Sequence, residues 1–94
     1  MERIKGCIGH DGVERYSKII NMTLDKNDLC NGYSVAFEYD IRKDKTKMII
    51  QKFAHGIPVE FLYCKSYCSG EPIVYENSFE EEFEKHKHEL VPQR

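Results

Sequence analysis

No run of about 18 consecutive apolar residues, the length a membrane-spanning helix needs, occurs in this 94-residue chain. The opening residues Met1-Glu2-Arg3-Ile4-Lys5-Gly6 lack the apolar stretch of a secretion signal. Residue 2 is Glu, so there is no myristoylation site, and Pro92-Gln93-Arg94 matches no prenylation box. These absences lead to the expectation of a soluble cytosolic protein without a membrane partner. Cys7, Cys30, Cys64 and Cys68 are then expected as free thiols. Alanine is scarce at two residues, arginine at four against ten lysines, and leucine at four against nine isoleucines. That bias suits an AT-rich genome, such as a low-GC bacterium or one of its phages. Repeats, low-complexity tracts and linkers are also missing. So are the phosphate-binding loop, the dinucleotide fingerprint, the nucleophile elbow and the zinc-protease helix.

Enough remains to make one domain over residues 1–94. Apolar residues supply 40% of the chain and charged residues 32%, a globular balance with a heavily solvated surface. Charge is uneven: residues 1–70 carry a net +2 and residues 71–94 a net −4.

Tyr33, Val35, Phe37, Tyr39 and Ile41 alternate with Ser34, Ala36, Glu38, Asp40 and Arg42. Period-2 alternation predicts a strand with one buried face. Lys43-Asp44-Lys45 turns the chain, and residues 46–54 form the return strand of a hairpin. His55-Gly56-Ile57-Pro58 breaks it. Val59, Phe61 and Tyr63 then alternate in a further strand, followed by a loop over 66–72 and a short strand at 73–75. Ile4 to Ile8 reads as a short strand. Residues 13–24 admit a helix, capped by Asp11 and Glu14, or a strand with Tyr16, Ile20, Met22 and Leu24 on one face. The β-branched pair Ile19-Ile20 and the nearby Gly12 favour the strand. In the C-terminal region Ser78 and Glu81 have capping-box spacing, and Phe79, Phe83, His86 and Leu90 share a helical face. The fold expected is α+β: an antiparallel meander of 4–5 strands packed against one C-terminal helix.

The sharpest chemical candidate is zinc. Cys7-x-x-His10 and Cys64-x-x-x-Cys68 together make a Cys₃His set, although neither spacing is a CxxC knuckle. Small buried thiols are the alternative, and no cofactor is the expectation. His10-Asp11 between Gly9 and Gly12 could orient an imidazole, with His55 as a second, in a minimal enzyme or small-ligand binder. Glu38 and Asp40 share a strand face, where ion pairing suffices to explain them. Arg42, Lys43, Lys45, Lys47 and Lys52 make the hairpin basic, but an acidic chain with core-spaced aromatics argues against nucleic acid. The glutamates Glu80, Glu81 and Glu84 of the C-terminal helix could dock a basic protein partner. The leading expectation is therefore a non-enzymatic binding or modulator protein. It would be a phage or mobile-element accessory or inhibitor factor, acting through its acidic helix or an exposed strand edge, with a homodimer within reach.

Overall fold

The computed structural model describes residues 2–88 and 91–92, and the side chains of all of these but 63–67, 91 and 92. The strands are β1 (Cys7–Ile8), β2 (Val13–Leu24), β3 (Cys30–Asp40), β4 (Lys45–Ala54) and β5 (Ile57–Ser69). The helix α1 (Ser78–His86) follows, and β6 (Val91–Pro92) ends the series. All pairings are antiparallel and the sheet order is β1-β2-β3-β4-β5-β6. Each strand therefore lies beside its neighbours in the chain, the meander expected from the alternation and the short turns.

Residues paired across antiparallel strands point to the same face. Tyr16 pairs with Phe37 and Phe37 with Met48; Ile20 pairs with Tyr33; Val35 pairs with Ile50. Together these make one apolar face, and α1 covers it. Phe79 lies 5.4 Å from Phe37, and Phe83 lies 4.9 Å from Tyr33, ring centre to ring centre. Val35, Phe37, Met48, Ile50 and Phe79 are all 2% exposed or less. The strand's aromatic side and the helix's phenylalanine stripe thus share one interior. Leu90, expected on the same stripe, lies outside the described residues.

Several local expectations change. Only Cys7–Ile8 of the first stretch is strand, because the Ile4 amide bonds the carbonyl of Val74 at 2.7 Å instead of a ladder partner. Ile41 leaves the buried face: the Asp40 carboxylate accepts the amides of Arg42 and Lys43, which ends β3 two residues early. The strand after the break runs on to Ser69, with Gly70 (φ +87°) starting the loop. No strand forms at 73–75; Val74 fills the core from an irregular segment. The Ser78–Glu81 capping box does not form. Asn77 takes the cap position, and the Ser78 hydroxyl accepts the Tyr75 amide at 2.8 Å.

The most consequential departure is in β2. The register shifts by one residue between Ile20 and Thr23, and Asn21 has φ +51°. This is a β-bulge. Beyond it Thr23 pairs with Asn31 and Leu24 with Cys30. Leu24 and, by alternation, Met22 fall on the face away from the helix, not beside Ile20 as the sequence period suggested.

Candidate functional site

The residues singled out from sequence do not converge. His10 is exposed in the turn between β1 and β2, and Asp11 there accepts bonds from the Val13 amide (3.1 Å) and from Arg15 (2.8 Å). The Arg15 guanidinium holds the Asp11 carboxyl below the usual carboxylate range. His55 occupies the opposite end of the sheet, roughly 30–40 Å away by the length of the strands. The two histidines cannot serve one site. Cys7 is exposed on β1 and Cys68 is exposed near the end of β5, with β2, β3 and β4 between their strands. Among the described residues no three His, Cys, Asp or Glu side chains stand close enough to hold a metal. The Cys64 side chain lies outside that description.

The helix glutamates are partly engaged. Glu80 pairs with Lys18 of β2 at 2.9 Å, and Lys18 also reaches Glu76 at 3.2 Å. That ammonium keeps the Glu80 carboxyl below its ordinary range, and Glu80 in turn raises Lys18. Glu81 accepts a bond from Asn77 and Glu84 pairs with Lys87, both at the exposed side of α1. So Glu80 belongs to the seam between helix and sheet, while Glu81 and Glu84 face water.

Among the described residues, no helix or loop is packed over the other face of the sheet. Its cross-strand rows follow from the register. Ile19, Ser34, Gln51 and Phe61 form one; Ser17, Ala36 and Ile49 form the next. On the other side come Met22, Gly32, Phe53 and Pro58, and then Leu24 with Cys30. Ile19, Met22, Leu24 and Phe61 are 40–59% exposed, whereas Ile49 is buried and Phe53 half-buried on the same face. Gly32 lies between Met22 and Phe53, and a Cβ there would meet the Met22 Cα at 2.9 Å. Glycine is what lets the bulged backbone of β2 close on β3. Scattered exposed apolar residues are ordinary, and a contiguous group of this kind is a candidate interaction surface.

Toward the His10 end the same face turns charged. Arg15, Glu38 and Lys47 make a row, with Asp40 and Lys45 beyond it. A cleft of about 390 Å³ lies between them and Lys43. The carboxylates are engaged: Glu38 by Arg15 at 3.0 Å, Asp40 by the turn amides. Lys43, Lys45 and Lys47 form no ion pair among the described residues. At the apolar end, His55 Nδ1 meets Asp25 Oδ2 at 2.6 Å, tying the β4–β5 turn to the β2–β3 turn. Asp25 also accepts the amides of Asn27 and Leu29, and its carboxyl is held low chiefly by His55.

A second concavity of about 420 Å³ lies on the helix side, where Cys68, Glu71, Glu82, Lys85 and His86 rim a floor made by Phe37 and Val74. Its charges are largely answered internally, by Arg3–Glu71 at 3.3 Å and His86–Glu82 at 3.1 Å.

Sequence reasoning missed the helix-free face because it followed one side of each alternation. An asparagine inside a run that reads as strand, opposite a glycine, was the signal available for the bulge. Comparison with known protein families, with curated proteins and with solved structures gives no match to this chain.

Proposed function

We propose that this protein is a non-enzymatic binding module that docks a partner protein on the helix-free face of its sheet. The observation that supports it is the contiguous apolar group of exposed Ile19, Met22, Leu24 and Phe61, with half-buried Phe53 among them, on a face that no element covers among the described residues. An antiparallel sheet normally solvates its open face with polar side chains, and here about half of it is apolar. A modulator or accessory factor that works by contact needs no more than this. The outward glutamates Glu81 and Glu84 remain a secondary contact surface, whereas Glu80 holds the helix to Lys18.

The test compares three versions of the protein in cross-linking capture from cells that produce them: the native chain, Ile19→Asp/Phe61→Asp, and Glu81→Lys/Glu84→Lys. A partner recovered by the native chain and the helix variant, but lost from the face variant, is expected. A partner that survives Ile19→Asp/Phe61→Asp, or no specific partner at all, would overturn the proposal.

A further inference from the structure

We infer that the occupant of the helix-free face is an amphipathic helix of the partner, carrying an apolar stripe and acidic residues at one end. The inference rests on the docking role proposed above and adds the chemistry of what docks.

Size comes first. The apolar rows cross four strands and span six residues of strand length, about 14 Å by about 20 Å, or about 300 Å². Stable protein pairs bury about 800 Å² on each side, so the apolar area is too small to sustain a homodimer by itself. It fits one helix, about 10 Å wide and about 13 residues long.

Strand addition at the nearby rim is disfavoured by Pro58. It pairs with Phe53 near the start of β5, at a stretch that has no strand on its outer side among the described residues. Proline offers no amide hydrogen to an incoming strand.

Charge then sets the polarity of the guest. Lys43, Lys45 and Lys47 stand on or beside the face with no ion pair among the described residues, while Glu38 and Asp40 are already bonded. A helix with carboxylates at that end completes the lysines. A phosphate backbone fits less well, because Glu38 and Asp40 sit among the same lysines and would repel a dense line of negative charge.

The experiment uses fluorescein-labelled helical peptides with an identical leucine stripe, one with Glu and one with Lys on its flanks, and a labelled thymidine oligonucleotide. Binding to the full chain is read by anisotropy at low salt. The acidic peptide is expected to bind at least about tenfold more tightly than the basic one. The preference should reverse in Lys45→Glu/Lys47→Glu and binding should vanish in Ile19→Asp/Phe61→Asp. Equal binding of the two peptides, tighter binding of the oligonucleotide, or binding indifferent to Ile19→Asp/Phe61→Asp would overturn the inference. Should neither peptide bind while cross-linking capture still depends on Ile19 and Phe61, the inference fails and the docking role stands.

Discussion

At the scale of single residues, the polar contacts that matter are those joining parts of the chain far apart in sequence. Asp25 and His55 are one case: a carboxylate 16% exposed accepts two turn amides and meets an imidazole from a different turn. Because Asp25 is held below its ordinary range when folded, its contribution is present above the unfolded carboxylate pKa and is lost as pH falls through the lower folded value. Asp11 and Glu80 have the same sign. Urea unfolding followed from about pH 6 down to about pH 2 should therefore show stability falling in the acid range. Asp25→Asn should be less stable at the upper end and show a flatter acid loss. An unchanged pH profile in that variant would remove Asp25 from the account. Lys18 has the opposite sense: its pKa is raised by Glu80, so its contribution is lost at alkaline pH. At Tyr39 the hydrogen bond to Asp44 pushes the phenol up to about 12.

Among the elements, β2 and β3 show how much of the structure was legible and where legibility stopped. The strand over 33–42, the return strand and the C-terminal helix could be read because apolar residues recur at a period set by backbone geometry. The strand at 13–24 followed from β-branched residues and a nearby glycine. The bulge was not legible in the same way. Ile20, Met22 and Leu24 keep period 2 through it, and only backbone geometry at Asn21 separates their faces. For the candidate surface this was decisive, since it moves Met22 and Leu24 from the expected interior to the outside. The zinc and histidine candidates failed to converge for a related reason: spacing along the chain says nothing of strand order, which places three strands between β1 and β5. The bulge also makes a quantitative expectation. Asn21→Val puts a β-branched residue at φ +51° and should cost about 1–2 kcal/mol in denaturant unfolding. Gly32→Ala should also destabilise, because its Cβ would press on the Met22 backbone. Neutral results at both positions would mean that the register shift is absent in solution.

For the molecule as a whole, one interior is shared between sheet and helix, and the two faces of the sheet differ: one packs on the helix and the other carries the exposed apolar group. Phe79→Ala removes a ring that is 2% exposed and in contact with Phe37, and should cost about 3–5 kcal/mol. A domain of this size has only about 5–15 kcal/mol in total, so the loss would be visible as a large drop in midpoint. Phe61→Ala, at 40% exposure on the open face, should cost about 1 kcal/mol or less while weakening partner capture. Comparable stability losses at the two positions would show that the open face is part of the interior after all. The sequential order of the strands adds something about how the protein is made. Each ladder can close as soon as the next strand leaves the ribosome, at about 5–20 residues per second. Phe79 and Phe83 emerge only after β1 to β5, so until they do that part of the sheet is bare on both sides. A nascent chain of this design has to be finished, or shielded, before it meets a second copy of itself.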